Sequence, residues 1–439
     1  MIDEITRLGD FCYFIAGSAF PERYQGKTEG DFPFIKVSDM KLSRNKSRIN
    51  EANNWLNQKE ADILRVKPVP PGSVVFAKIG VGLYNNRMRL TTMPTLLDNN
   101  MMAAVPREGV SSNVLYSIMN TIDMQTWAIG AALPYIRASD IVKIKLSHVD
   151  NDNLSIISKI ELALNSAIDV QNAMSDCANS IISEVFHSWF IDFNPVKMKV
   201  AGKIPFGMTE ETMALFPNSF EESEIGLIPA GWTVKKIGDI AELIKGLSYT
   251  GAFLEETIDS GKEMLNLGCF GIDGSFRRNK IKYYSGEHRE RHLLKQGDLL
   301  IANTDMTQDR VILGAGIVIP SEYEGALFTH HTTRLRAHEN LDFRLNSFLA
   351  HQLSQPTFRH IAEGYSTGST VLALPKDAIL NYKIVIPPKE LLNKFLSLNN
   401  DFFSHSQVLI SIEEELQNAR DVLVPRLMFG ELPISLING

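Results

Sequence analysis

The chain states one pattern twice, and that constrains its fold more than any other feature. Leu8-Gly9-Asp10 returns as Ile237-Gly238-Asp239, about 229 residues later. "VPPGSVVFAKIG" (69–80) is answered by "LLKQGDLLIANTD" (293–305). In each, a turn carrying Gly72 or Gly297 precedes a short apolar run, the pattern of a hairpin turn entering a buried strand. "GAALPYIRASDIVKIKL" (130–146) is answered by "GSTVLALPKDAILNYKIVIP" (368–387). Both contain a small-residue loop, a proline, an aspartate and a strand with β-branched residues.

Each half closes on a long helical pattern. From Ile157, apolar or small residues fall at Ile160, Leu164, Ala167, Met174, Ala178, Ile181 and Val185, with Gln171 the one polar member. From Leu391 the series is Phe395, Leu398, Phe402, Leu409, Ile412, Leu416, Ala419 and Leu423, with His405 in the matching slot. Alternation of three and four over several heptads is a coiled-coil seam; the other reading is one face of a helix packed into an ordinary core. Asn151, Asp152 and Asn153 can cap the first helix, Pro387 and Pro388 can open the second, and Pro425 marks where it should end or kink. At 1.5 Å per residue each helix would be about 50–55 Å long. The expected fold class is α+β: two repeated mixed α/β domains separated by two long helices. The helices would form an antiparallel coiled coil in a pseudo-two-fold arrangement.

Composition excludes some functions. No stretch approaches the ~18 uninterrupted apolar residues of a membrane span. The opening "MIDEITRLGD" has no apolar run of the kind a secretory signal needs. Cys12, Cys177 and Cys269 are scattered and odd in number, which fits a reducing cytoplasm and neither a disulfide framework nor a zinc knuckle. The formal net charge of −7 argues weakly against nucleic acid, but Glu210, Glu211, Glu221, Glu222 and Glu224 crowd into the middle of the chain, and cations gather elsewhere.

A search for catalytic motifs returns nothing specific. "GYSTGST" (364–370) lacks the lysine of a phosphate loop and reads as a flexible turn or as a surface against a phosphate chain. "AKIGVGLYNN" (77–86) lacks the last glycine of a dinucleotide fingerprint. His288 and His292 are four apart but enclose Arg-Glu-Arg, so a solvated basic face is expected there and no metal. "FNPV" (193–196) is not the Asn/Asp-Pro-Pro-aromatic box of adenine methyltransferases.

The positive signal is basic stretches with amides, hydroxyls and histidines interleaved in both halves. In the first half the candidate DNA contacts are Lys36, Lys41, Arg44, Lys46, Lys78, Asn85, Asn86, Arg87, Arg89 and Arg137. In the second they are Arg277, Arg278, Lys280, Asn303, Thr304, Gln308, Arg310, His330, His331, Thr367 and Ser369. Arg334 and Arg336 belong to the same basic region. Lys and Arg suit phosphates, and Arg, Asn and Gln can bond purine edges in the major groove. One such cluster is more often a solvated face; its occurrence in both halves favours binding.

Four landmarks carry a family resemblance: "SWFIDFNPVKMKVAGKIPFGM" (188–208), "LFPNSFEESEIGLIPAGW" (215–232), "IGDIAELIKGLSY" (237–249) and "NARDVLVPRLMFGEL" (418–432). In this order they resemble the specificity subunits of Type I restriction-modification enzymes, over nearly all of the chain. The resemblance implies target-recognition domain 1 at 1–150, spacer helix 1 at 151–191 and a linker at 192–231. It implies target-recognition domain 2 at 232–387, spacer helix 2 at 388–430 and a tail at 431–439. Each domain would read one half of a split double-stranded DNA sequence. Two methyltransferase subunits would dock on the helices, with Ile157, Ile160, Leu164, Met174, Ile181, Phe395, Phe402, Leu409 and Leu416 forming the coiled coil and docking surface. Two motor-endonuclease subunits would join where the system also cuts. S-adenosylmethionine, ATP and Mg²⁺ would sit on those partners, so this chain would be non-catalytic, bind no cofactor or metal and work in the cytoplasm. The rival readings are a coiled-coil scaffold indifferent to DNA sequence, and a chain that is itself a methyltransferase or nuclease.

Overall fold

The computed structural model describes residues 6–42, 45–130, 132–146, 151–271, 276–305, 312–365, 372–428 and 431–432. The fold is mixed α/β, with two long helices at Asn151–Phe186 and Lys389–Met428. The chain divides into two compact units, one made of Met1–Ser175 with Val408–Gly439, the other of Asp176–Gln407. Each long helix therefore contributes one stretch to each unit. No helix among the described residues is long and apolar enough to cross a membrane.

In the first unit the strands Cys12–Ala16, Met101–Pro106, Val74–Ala77 and Arg89–Thr91 lie side by side, each antiparallel to its neighbour, and Arg48–Ile49 adds a parallel edge. All four residues of Val74–Ala77 are buried, as the continuous apolar run "VVFA" requires of a strand covered on both faces. A second small sheet pairs Phe32–Ile35 antiparallel with Trp55–Leu56 and parallel with Leu96–Leu97. The main core gathers Leu8, Phe76, Leu115 and Ile118 with Leu154 and Ile157 of the first long helix and Val424, Leu427 and Met428 of the second.

In the second unit Ala241–Lys245, Thr332–Ala337, Leu299–Ala302 and Gly316–Val318 lie side by side, again antiparallel throughout. "LLIA" is buried at all four positions. The smaller sheet pairs Lys262–Leu265 antiparallel with Lys282–Tyr284 and parallel with Leu327–Phe328. The main core is aromatic. Phe186, Trp189 and Phe190 from the end of the first long helix meet Phe216, Trp232, Phe348 and Phe395.

Several sequence expectations are refined. Residues 192–231 are folded, with short helices at Asn194–Val200 and Glu210–Ala214 and a hairpin of Phe220–Ser223 with Gly226–Pro229. Lys199 Nζ ties this segment together by donating to the carbonyls of Met213 at 3.0 Å and Phe216 at 2.5 Å. The second long helix opens directly after Pro388, whose carbonyl accepts the Leu392 amide at 3.0 Å. Pro425 does not stop it; the helix runs on to Met428. The side chains of the expected capping residues Asn151, Asp152 and Asn153 lie outside the described set.

Gly17 and Gly246 occupy the same place in the two pairing schemes, each just past the first strand of its main sheet. Each is followed by one backbone bond, Ser18 N to Leu97 O at 2.8 Å and Leu247 N to Phe328 O at 2.7 Å. A Cβ at Gly17 would sit 1.9 Å from the Asp98 carbonyl oxygen, and one at Gly246 would sit 2.1 Å from that of Thr329. Backbone cannot retreat as a side-chain tip can, so Gly17→Ala and Gly246→Ala should each lower stability by about 1–3 kcal/mol or more. Gly251→Ala, which meets open space, should not. Thermal melts of the three variants check this; equal melting temperatures would contradict it.

Candidate nucleic-acid interface

The sequence-derived cations divide into those held by the fold and those left to solvent. In the first unit Arg89 belongs to the former. Its guanidinium donates to the carbonyls of Asn45 at 2.6 Å, Met88 at 2.7 Å and Met40 at 3.4 Å. Burial pushes its pKa down to about 10. Asn86 is also structural: it adopts φ 46°, its Nδ2 donates to Ile122 O, and its Oδ1 accepts from the Met124 amide, each at 3.1 Å. Asn85 Nδ2 donates to Val81 O at 3.2 Å.

The remaining first-unit candidates reach the surface. Lys36 donates to Gln25 Oε1 at 3.0 Å and stands over the Phe20 ring. Lys41 is exposed, and Lys46 pairs with Glu413 at 3.4 Å. Lys78 and Arg87 are half-buried. Arg137 is exposed, with Nη2 donating to the Tyr135 hydroxyl at 2.9 Å. Arg44 lies outside the described residues.

In the second unit Arg278 pairs with Glu322 at 2.7 Å and donates to Gln407 Oε1 at 2.5 Å. Arg277 is half-buried and Lys280 exposed. Arg334 and Arg336 hold the sheet: Arg334 pairs with Glu242 at 2.8 Å, and Arg336 forks onto Asp298 at 2.6 and 2.5 Å. The His330 and His331 rings are tilted against each other with centres 4.0 Å apart, and His331 Nδ1 lies 3.0 Å from Thr304 Oγ1. Burial, then His330 and Lys245, depress the His331 pKa. Asn303 Oδ1 and His330 Nδ1 are buried without a hydrogen-bond partner among the described residues. Gln308, Arg310, Thr367 and Ser369 lie outside the described residues.

His292 is buried, which corrects the solvated face expected there. Its Nε2 accepts from Arg291 Nε at 3.3 Å, and burial with the neighbouring arginines depresses its pKa. No group of three or more His, Cys, Asp or Glu able to hold a metal occurs among the described residues.

Asn303 and Thr304 line a cleft of about 240 Å³ that sequence reasoning missed. Lys245, Lys376 and Thr333 complete its polar lining. The two lysines are far apart in the chain, and only the closing of the sheet brings them to one cleft. Local charge clustering could not have found them.

On the long helices Ile157 and Phe395 are buried, and Ile160, Leu164, Phe402, Leu409 and Leu416 are half-buried. Met174 and Ile181 depart from the expected seam, being 52 % and 46 % exposed. On the same helix Ile168 and Ile182 are buried instead, and Ile182 packs into the second unit's core, so the buried face follows more than a helix–helix seam.

In the first unit the helices meet through polar groups. Arg420 Nη1 donates to Asn165 Oδ1 at 2.9 Å beside the buried Glu161. Burial pushes the Glu161 carboxyl up to about 8, against an ordinary 4.5, with Arg420 opposing. A carboxyl whose folded pKa is raised stabilises fully below its unfolded pKa and loses that contribution as pH rises through its folded one. Glu161→Gln, a neutral isostere, should remove this decline. Melting temperatures of the two proteins should coincide below about pH 4.5, draw apart as pH rises, and reach their full difference by about pH 8, with the variant higher. Parallel curves across that range would contradict the assignment.

Residues 229–396 match the Type I restriction modification DNA specificity domain. The chain is 22% identical to the MjaIX specificity subunit of Methanocaldococcus jannaschii, over 98% of this chain and 94% of that one. It is 21% identical to the HindI specificity subunit of Haemophilus influenzae, over 68% and 71%. The fold is similar to the S subunit of a type I restriction-modification system from M. genitalium, with a TM-score of 0.51, 11% identity and coverage of 99% and 98%. Residues 229–396 thus carry a type I restriction-modification DNA specificity domain, and over nearly its whole length the chain is similar to the specificity subunits of such systems.

Proposed function

We propose that the chain reads a bipartite double-stranded DNA target, one half by each of two recognition domains at about 1–150 and 232–387. Two methyltransferase subunits dock on the long helices, and two motor-endonuclease subunits join where the system also cuts. Those partners bind S-adenosylmethionine, ATP and Mg²⁺, and the complex works in the cytoplasm.

The observation that carries this reading is the recurrence of one pairing scheme in both units. Cys12–Ala16 against Met101–Pro106 matches Ala241–Lys245 against Thr332–Ala337, and the parallel pair at Phe34 and Leu96 matches that at Met264 and Leu327. The exposed side chains borne on those strands and loops differ, as two readers of different sequences require.

We read the helices as running antiparallel, which the pairing of Asn165 with Arg420 in one unit and of Phe186 with Phe395 in the other supports. The exposed Val170, Met174 and Ile181 are the part of the helical surface assigned to a methyltransferase. Low-salt assembly and strong salt dependence follow from phosphate contacts.

Exchange of residues 1–150 for those of another family member is the decisive experiment. Mapping of methylated adenines in a host carrying the hybrid should return a target with one half replaced and the other kept. An unchanged target would favour a scaffold that does not read DNA. Turnover of labelled methyl donor by the purified chain alone would make it an enzyme and overturn the reading from the other side.

A further inference from the structure

We propose that the cleft lined by Lys245 and Lys376 is a phosphate anchor for the DNA backbone, and that the first unit builds the matching anchor from Lys78 and Arg137. This rests on the DNA-reading function proposed above and assigns part of its contact surface.

Lys245 ends the strand Ala241–Lys245, and Lys376 opens the short helix Lys376–Leu380. Both are exposed at the cleft, and neither makes an ion pair among the described residues. Two arginines of the same sheet, the buried Arg334 and the half-buried Arg336, are by contrast neutralised by Glu242 and Asp298. Two ammonium groups without carboxylate partners repel each other, and an anion between them removes that cost. Thr304 and Thr333 bring hydroxyls to the same cleft, and such groups commonly bond phosphate oxygens.

The first unit supplies the independent observation. Asn303 follows the strand Leu299–Ala302, and its carbonyl accepts the Leu374 amide at 2.8 Å. Lys78 follows Val74–Ala77, and its carbonyl accepts the Ile136 amide at 2.9 Å. Thr304 pairs with Ala373 as Ile79 bridges Tyr135. Lys78 thus stands where Asn303 does, and Arg137 stands one place before the equivalent of Lys376. Both units bring two cations to this one place in the fold, from positions that do not correspond. A cation need not keep its position to hold a phosphate, whereas base reading demands fixed donors and acceptors.

The test uses the chain assembled with its methyltransferase partners, a duplex bearing its mapped methylation site, and a duplex with that site scrambled. For Lys245→Gln with Lys376→Gln, the slope of log affinity on log salt should fall by about two, and each single change should remove about one. Affinity should drop alike on both duplexes, with the methylated sequence unchanged. Lys78→Gln with Arg137→Gln should behave the same way, and Lys245→Arg with Lys376→Arg should keep the slope. An unchanged slope in the Gln pair, or a loss confined to the site-bearing duplex, would overturn the phosphate assignment. If the unaltered complex does not distinguish the two duplexes, the DNA-reading function itself fails, and the anchor with it.

Discussion

The aromatic cluster of the second unit is the interaction on which the rest depends. Phe190 lies 5.0 Å from Phe395, 5.2 Å from Phe348 and 5.9 Å from Trp232, and Trp189 lies 5.3 Å from Phe216. These rings come from the end of one long helix, the start of the other, the helix below the sheet and the segment that joins the two halves of the sequence. Beyond the area they bury, aromatic pairs in such edge-on arrangements each contribute roughly 0.5–1.5 kcal/mol. The helical ends and the sheet of this unit are thereby fixed to one another, so the surface that the sheet presents has a defined orientation to those helical ends.

Charge is apportioned by chemistry. Among the basic residues of the candidate DNA surfaces, Arg89, Arg334 and Arg336 are the ones held most completely by the fold, and all three are arginines. A planar guanidinium offers several donors at fixed angles and can satisfy carbonyls or a carboxylate while largely buried. The lysines Lys41, Lys245, Lys280 and Lys376 remain at the surface, where a compact, well-hydrated ammonium suits a mobile phosphate. A net negative chain can therefore still present positive surfaces, because its excess carboxylates are placed elsewhere, as in the hairpin residues Glu221, Glu222 and Glu224.

Much of this architecture was legible in the residues. "VVFA" and "LLIA" announced buried strands, and Gly72 and Gly297, both at positive φ, announced the turns before them. The long helical stretches were legible from their three-four spacing. The face they bury was not, since Ile168 and Ile182 are buried while Met174 and Ile181 stay exposed. Heptad spacing describes a helix against another helix, and these helices also lie against sheets. The middle segment looked like acidic, turn-rich linker because its few apolar residues, Val196, Phe216 and Ile228, have no periodicity; they become a core only against Trp189 and Trp232. Of the candidate contacts, the surface lysines were legible as cations, but the cleft of Lys245 and Lys376 depends on tertiary closure that spacing cannot express.

The composition of the first unit has a consequence for biogenesis. Its core includes Val424, Leu427 and Met428, which the ribosome makes after every residue of the second unit. The second unit is one continuous stretch of chain and can close during translation. The first must wait, with Leu154 and Ile157 uncovered, until the final helical turns emerge. The order of maturation thus runs opposite to the order of synthesis, and the half translated earliest is the one that most needs shelter from aggregation.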